Sequence, residues 1–202
     1  CPVFAGVQQT GAAVPLMVDT LLKILPSAAD AVCHFEDGEE KAFDENGENA
    51  LFVFKTIADP FVGKLSYFRV LSGKIKNDTR LINNRTGAEE RLSKIMWLKG
   101  GKQEDAGEII AGDIGSVSKL GNVLTGDTLS ASGKLAAAAV DFPAPTISVA
   151  VYPKAKGDEE KITQAFSRLC EEDPTIKVYT DNETHEQILS ALGEQHIDVI
   201  IS

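Results

Sequence analysis

Hydrophobic and polar positions change their period several times along the chain, and the first change falls near residue 27. Apolar side chains recur at helical spacing over residues 14–25, and Pro26 ends the run. The tripeptide Pro2-Val3-Phe4 has the pattern of the tail of a strand. A strand, a loop and one helix bury little surface by themselves, so we expect residues 1–27 to be the end of a larger domain.

Residues 28–50 are polar and rich in acidic side chains. Glu36-Asp37-Gly38-Glu39-Glu40 is followed by Asp44-Glu45-Asn46-Gly47-Glu48. Asp-Gly and Asn-Gly favour tight turns, so Asn46-Gly47 is a candidate for the turn of a hairpin. We expect this segment to be either a flexible acidic linker or an exposed hairpin in front of the next domain.

Residues 51–141 have the alternation and the turn residues of β-structure, without a helical period. The pattern predicts strands at 51–58, 64–71, 80–83, 91–98 and 109–117, with turns at Ser72-Gly73, Lys76-Asn77-Asp78, Gly100-Gly101 and Gly126-Asp127. Short strands at this spacing favour a closed β-barrel, because closure removes exposed strand edges. The fold class predicted for this part is therefore mainly β.

Residues 142–202 follow a different pattern, which is typical of an α+β unit. A strand is predicted at 146–152, then a helix that Asp158 caps and Asp173-Pro174 ends. Strands at 176–180 and 186–192 form a predicted hairpin, and Gly193 precedes a second helix. The order β-α-β-β-α matches a ferredoxin-like split βαβ domain that is truncated before its closing strand.

Composition narrows the class of protein. The chain has 202 residues, 43% of them hydrophobic, and its formal net charge is −10. This mix fits a globular protein, and no apolar run approaches the ~20 residues that cross a bilayer. The first residue is Cys1 rather than methionine, and no signal peptide is visible, so we expect a piece of a longer protein. Three widely spaced cysteines favour a reducing, cytoplasmic location over a disulfide framework.

The net charge hides an asymmetry between segments. Between residues 64 and 102 there are ten basic and three acidic residues, a local charge of +7, whereas the remainder carries −17. One interpretation is a patch that contacts nucleic-acid phosphates, since their neutralisation releases counterions. The other is the solvated face of β-strands. Aromatic residues do not alternate with these cations in the sequence, so the expected contact is with phosphates rather than bases.

The sequence predicts no catalytic activity for this chain itself. It lacks the G-x-x-x-x-G-K-[ST] and G-x-G-x-x-G phosphate loops and the G-x-S-x-G nucleophile turn. His34, His185 and His196 have no nucleophile near them in the sequence. Cys33-His34 lacks further ligands at zinc spacing, because adjacent side chains rarely face one tetrahedral ion. We therefore predict no catalytic residue and no metal site.

Several ordered motifs resemble a known family. The stretch 52–73, Ala111-Gly-Asp-Ile114 and Thr125-Gly-Asp-Thr-Leu129 resemble domain II of bacterial elongation factor G. Phe142-Pro-Ala-Pro-Thr-Ile-Ser-Val149, Glu171-Glu-Asp-Pro-Thr175 and Gly193-Glu-Gln-His196 are similar to its domain III, and residues 2–27 to the end of its GTPase domain. The resemblance covers nearly the whole chain and implies a barrel followed by a ferredoxin-like domain.

The resemblance implies part of a ribosome-dependent GTPase that moves tRNA and mRNA, with GTP and Mg bound by the full-length parent. Gly6-Val7-Gln8 match the loop that contacts guanine, although the family usually has Gly-Ser-Ala there. Domain II would contact small-subunit ribosomal RNA and domain III would relay the nucleotide state. The candidate cations for ribosomal RNA are Lys64, Lys74, Lys76, Arg80, Arg85, Lys99 and Lys102.

Departures from the family pattern keep other functions open. Lys99-Gly-Gly101 replaces the common His-Ala-Asn, and the linker is unusually acidic. One alternative is a ribosomal protection, release or back-translocation factor of the same architecture. Another is a protein-interaction module of a non-ribosomal GTPase. The expected division is 1–27 for the end of the GTPase domain, 28–50 for the linker, 51–141 for domain II and 142–202 for domain III, in a monomer.

Overall fold

The computed structural model describes residues 2–59, 63–100, 102–153, 155 and 157–201. The chain folds into a leading helix, a small hairpin, a large curled β-sheet and a second α+β unit. The first of these, α1 (Val14–Ile24), begins beside Pro15, whose fixed φ suits the first turn of a helix. None of its residues is buried, and Leu22 is 78% exposed.

The predicted strand at Pro2-Val3-Phe4 is wrong. Residues 2–6 have no regular structure, and only an isolated bridge between Val7 and Ala12 follows. A strand needs a neighbour for its backbone N–H and C=O groups, and no described strand lies beside this tripeptide.

The acidic segment forms a hairpin of β1 (Val32–His34) and β2 (Glu40–Ala42). Its turn lies at Asp37-Gly38, where Gly38 has φ +81°, and not at Asn46-Gly47 as predicted. Asn46-Gly47 instead completes a separate turn in which the Gly47 N–H donates to Asp44 O (3.3 Å). Cys33 and Phe35 pack with Ala50 and Leu71 of the barrel, so the hairpin covers one end of the large sheet.

The large sheet contains eight of the ten strands between residues 50 and 130. Its order is β7-β6-β12-β3-β4-β11-β8-β9, and β5 and β10 pair separately as a two-stranded ribbon. All described pairings in it are antiparallel. The strands are β3 (Ala50–Asp59), β4 (Gly63–Ser72), β5 (Lys74–Lys76), β6 (Thr79–Asn83), β7 (Glu89–Leu92), β8 (Ile95–Lys99), β9 (Lys102–Asp105), β10 (Glu108–Ile110), β11 (Ile114–Ser118) and β12 (Thr128–Ser130).

Two predicted strands are each divided by a local interruption. Residues 91–98 split into β7 and β8, and at the start of β8 the Ile95 N–H donates to the Asn77 side-chain oxygen (2.8 Å) instead of to a neighbouring strand. Residues 109–117 split into β10 and β11 because Gly112 turns the chain with φ +90°. Glycine adopts this conformation without a steric penalty from a Cβ atom.

The sheet curls around one apolar core. Phe68, Leu51 and Ile95 have no solvent exposure. They belong to one hydrophobic cluster, to which strands from both halves of the sheet contribute side chains. The predicted mainly-β barrel is confirmed as this curled sheet, in which β7 and β9 are the outermost strands of the described ladder.

The second unit follows the predicted order. It consists of β13 (Ile147–Val151), α2 (Glu159–Glu172), β14 (Lys177–Thr180), β15 (Gln187–Ala191) and α3 (Glu194–Ile201). The antiparallel sheet has the order β13-β15-β14. Phe166 of α2 and Ile197 of α3 form one hydrophobic cluster with Leu189 of the sheet. The α+β prediction is confirmed, but the Asp158 side chain does not cap α2, since its carboxylate pairs with Lys161 (2.7 Å).

Removal of a barrel core side chain tests this packing. Phe68→Ala is expected to lower the free energy of unfolding by about 3–5 kcal/mol, because the lost ring leaves a cavity. The measurement is urea unfolding followed by the fluorescence of Trp97, the single tryptophan, which packs against the core. The control Leu22→Ala, on exposed α1, is expected to change the free energy by less than about 0.5 kcal/mol. Equal effects of the two variants would contradict the described core.

Candidate nucleic-acid interface

Most of the predicted phosphate-facing cations have carboxylate partners within the protein. Five of the six partners lie outside the basic segment, so folding neutralises much of its charge excess. The pairs are Lys64–Glu171 (3.0 Å), Lys74–Glu45 (3.0 Å), Lys76–Glu108 (3.1 Å), Arg80–Glu89 (2.7 Å), Arg85–Asp127 (2.6 Å) and Lys99–Glu104 (2.7 Å).

Arg85 is engaged with a buried carboxylate of the protein. Its Nε and Nη2 atoms donate to Asp127, whose side chain is 4% exposed, and Nη2 also donates to Asn122 O (2.9 Å). The Asn83 side-chain amide and the Leu124 N–H complete the shell around Asp127. This network ties the β6–β7 turn to the loop before β12, so the geometry favours a structural role for Arg85.

The same network lowers the pKa of the Asp127 carboxyl group. Burial acts to raise the pKa of Asp127, but the hydrogen bonds from Arg85, Leu124 and Asn83 outweigh it, and the net pKa is lowered. Hydrogen bonds to the charged form stabilise it relative to the neutral acid. Asp127 is therefore a carboxylate that stabilises the fold while ionised.

Lys64 is also paired within the protein. Its side chain is 17% exposed and lies between the barrel and α2, where it pairs with Glu171. The neighbouring Glu172 carboxylate accepts the Ala58 N–H at the end of β3. Acidic side chains in the last turn of a helix are unfavourable beside its negative end, and here the barrel supplies a cation and an N–H donor to them.

Lys76, Arg80 and Lys99 are the exposed members of the predicted set. Their side chains are 63–66% exposed, and exposed ion pairs contribute only about 0–1 kcal/mol. A phosphate group can therefore replace the protein carboxylate at low cost. Lys74 is more enclosed, and its hydrogen bond to Glu45 raises the pKa of the ammonium group.

Lys102 has no ion pair within the described part of the chain, and it lies directly opposite Lys99 in the β8–β9 pairing. Like charges in directly opposed positions destabilise a sheet. Glu104 relieves part of this repulsion by pairing with Lys99. This end of the hairpin therefore keeps an excess of positive charge.

Aromatic residues that do not alternate with the cations in the sequence nevertheless come close to Lys99 in the fold. A cleft of about 500 Å³ is lined by Tyr67, Trp97, Leu98 and Ile114 together with Lys99 and Asp113. The ring of Phe54, which is 40% exposed, lies 6.4 Å from that of Tyr67 at 51°. These side chains come from four strands, which is why spacing along the sequence does not reveal them.

A β-bulge explains why Phe54 is exposed. Val53 pairs with Phe68 and Lys55 pairs with Tyr67, so Phe54 is the extra residue between them. Bulges re-aim side chains in this way. Both Phe54 and Lys55 are exposed as a result, and Lys55 forms no ion pair with any residue that the structure describes.

One buried polar atom of a cleft-lining residue has no hydrogen-bond partner in the described part of the chain. The indole Nε1 of Trp97 is buried and makes no hydrogen bond to the described residues. An unpaired buried donor costs about 1–3 kcal/mol.

The residues matched to a guanine-contacting loop form a tight turn before α1. The Val7 N–H donates to Ala12 O (3.3 Å), and a Cβ atom at Gly6 would lie 2.8 Å from the same oxygen. The turn itself thus requires glycine at position 6. The side chain of Gln8 is exposed and retains its amide donor and acceptor.

Cys33 and His34 do not share a site. Cys33 is buried, which raises the pKa of its thiol, whereas His34 is exposed and lies 3.3 Å from Glu40. Among the described residues, no group of three or more His, Cys, Asp or Glu side chains has a geometry that would hold a metal ion. The described helices are all too short or too polar to cross a membrane.

Comparisons with known proteins match the two β-containing units separately. The family model for elongation factor G domain 2 matches residues 48–132, and that for elongation factor G domain III matches residues 142–202. The elongation factor G of Fervidobacterium nodosum is 37% identical over 206 residues, covering 99% of this chain. A crystal structure of a Thermus thermophilus protein superposes with a TM-score of 0.73 at 27% identity over 93% of this chain.

A barrel followed by a β-α-β-β-α unit, matched in this order, defines part of a translation factor. The chain belongs to the elongation factor G family and contains its domains II and III. It spans 30% of the Fervidobacterium relative and 27% of the Thermus chain.

The Asp127 network predicts a pH dependence of stability. Because the pKa of Asp127 is lower in the folded state, its contribution is complete above the unfolded value of about 3.9 and is lost as pH falls through the folded pKa. Asp127→Asn is expected to cost about 2–3 kcal/mol at pH 7. Urea unfolding of both proteins between pH 7 and pH 2.5 should show the difference shrinking below pH 4. A difference that is independent of pH would contradict this role.

The contact between the barrel and α2 is tested by a double-mutant cycle. Lys64→Met and Glu171→Gln are expected to show a coupling free energy of about 1 kcal/mol in urea unfolding, because Lys64 is largely enclosed. The exposed Lys161–Asp158 pair within α2 is the control, with an expected coupling below about 0.5 kcal/mol. Additive effects at Lys64 and Glu171 would mean that the contact does not stabilise the protein.

Proposed function

We propose that this chain is the ribosome-contacting and signal-relaying part of an elongation-factor-G-like GTPase that acts in translocation of tRNA and mRNA. The observation that carries the proposal is the ordered match to two consecutive domains of that family over nearly the whole chain. The parent protein would work in the cytoplasm with the ribosome as its partner.

The proposed contact surface on small-subunit RNA consists of exposed cations of the barrel. Lys76, Arg80 and Lys99 belong to it because their ion pairs are weak and exposed. Lys102 belongs to it because no described carboxylate pairs with it. These cations would act by phosphate contact, which positions a protein on RNA without reading its sequence.

GTP and Mg²⁺ are proposed to bind the full-length parent, with the loop at residues 6–8 as the contribution of this chain. Residues 1–27 would be the end of the GTPase domain, since the apolar side chains of α1 are exposed and require a partner surface. The Gln8 side chain would contact the guanine base, because the Val7 N–H is already occupied. Residues 28–50 would connect to domain II at 51–141, and residues 142–202 would form domain III.

The structure also suggests how a signal would pass between the two proposed domains. The last turn of α2 contacts the barrel through Glu171 and Glu172 and contacts α3 through Asp173, which lies 3.2 Å from His196. A displacement of α2 would therefore change contacts to both units. We propose that domain III transmits changes in nucleotide state to the barrel through this turn.

Binding to ribosomal subunits over a salt series tests the proposal. The full-length parent should pellet with small subunits, and the affinity should fall steeply with salt because each phosphate contact releases counterions. Lys76→Gln combined with Lys99→Gln should weaken binding and reduce the slope of log affinity against log salt by about 1–2. The control Lys177→Gln, on exposed β14, should leave both unchanged. Absence of binding at low salt would contradict the proposed function.

A further inference from the structure

The aromatic cleft of the barrel has a feature that a phosphate surface does not require. Tyr67 and Trp97 line it with Leu98 and Ile114. The exposed ring of Phe54 lies 6.4 Å from that of Tyr67. Neighbouring aromatic rings that reach the surface fit a flat ligand that can stack on them.

Positive charge flanks this cleft on two sides. The bulge places Lys55, which has no ion pair to a described residue, next to Phe54 and opposite Tyr67. At the other side, Lys99 lines the cleft and faces Lys102 across the β8–β9 hairpin. Two carboxylates, Glu104 on Lys99 and Asp113 in the lining, leave a net excess of one positive charge.

We propose that this cleft binds an unpaired base of single-stranded RNA, which stacks on the Phe54–Tyr67 rings while Lys55, Lys99 and Lys102 contact the adjacent phosphates. Aromatic platforms flanked by cations bind single strands in this way, because every base offers a π-face. A protein partner would use the apolar surface but would leave Lys55, Lys99 and Lys102 opposite no anion. The inference rests on the proposed function, since the ribosome supplies the RNA.

The single tryptophan makes the cleft directly observable. Titration of the full chain with a ten-nucleotide oligoadenylate at low salt should quench the fluorescence of Trp97, which lines the cleft. A matched oligomer of abasic sugar-phosphate carries the same charge without bases. We expect it to bind at least tenfold more weakly, because base stacking supplies much of the affinity.

Two substitutions separate stacking from phosphate contact. Phe54→Leu keeps an apolar side chain but removes the ring face, so oligoadenylate affinity should fall about tenfold. Lys55→Gln should reduce the slope of log affinity against log salt by about 0.7, the value for one phosphate on a single strand. The controls are Tyr179→Leu and Lys177→Gln, an exposed aromatic and an exposed lysine of β14, which should bind as the unaltered chain does.

The outcomes distinguish this site from the proposed function. Unchanged Trp97 fluorescence with oligoadenylate at low salt, or equal affinity of Phe54→Leu, overturns the base-binding cleft. Quenching by RNA-free small-subunit proteins but not by RNA overturns it in favour of a protein partner. If the full-length parent carrying Phe54→Leu still pellets with small subunits, the proposed function stands without this site. If the unaltered parent fails to pellet, the proposed function fails as well.

Discussion

The pairing of β3 with β4 determines where most other parts of the molecule lie. This antiparallel pair runs from Ala50–Ser72 to Asp59–Gly63 at the centre of the large sheet, with β12 on one side and β11 on the other. Its inward side chains, Leu51 and Phe68 among them, form the middle of the core. Because side chains alternate along a strand, the register of this one pair decides which residues face the core and which face outward.

Three separate surfaces depend on that pair. The bulge at Phe54 exposes an aromatic ring and Lys55 beside the cleft. The far end of the hairpin brings Ala58 and Lys64 to the acidic last turn of α2. At the near end, Ala50 and Leu71 receive the β1–β2 hairpin. A shift of the register by one residue would disrupt all three at once.

The surface of the folded barrel is less positively charged than the sequence of residues 64–102 indicates. A segment with a charge excess of +7 becomes a surface on which most cations have carboxylate partners. The exposed pairs are weak, so they lower non-specific attraction to polyanions without blocking exchange with a phosphate. The pairs at Arg85 and Lys64 each contain one largely buried side chain, Asp127 or Lys64, and they instead stabilise the fold and the contact between units. Burial of one member of the pair, rather than the presence of a partner, therefore separates the two roles.

The sequence predicted helices and strands correctly where their bounds depend on residues that are near one another in the chain. The order β13-α2-β14-β15-α3 follows from periodicity, Asp173-Pro174 and Gly193, and the strands of the barrel follow from alternation and glycine turns. The misses depend on contacts that are distant in sequence. The carboxylates of Glu171 and Asp127 lie 107 and 42 positions from Lys64 and Arg85, and the cleft combines side chains of four strands. The bulge at Phe54 left no signal in the sequence, because residues 51–54 are all apolar.

Hydrogen exchange of the backbone amides measures most directly how firmly β3 and β4 are held at the centre of the sheet. The Val53 N–H donates to Asp127 O (2.9 Å) and the Val70 N–H to Asp113 O (3.0 Å), both within the buried centre of the sheet. These amides are expected to exchange only through global unfolding of the barrel, with the slowest rates in the chain. Exchange at Val53 and Val70 as fast as in the exposed hairpin of β1 and β2 would contradict it.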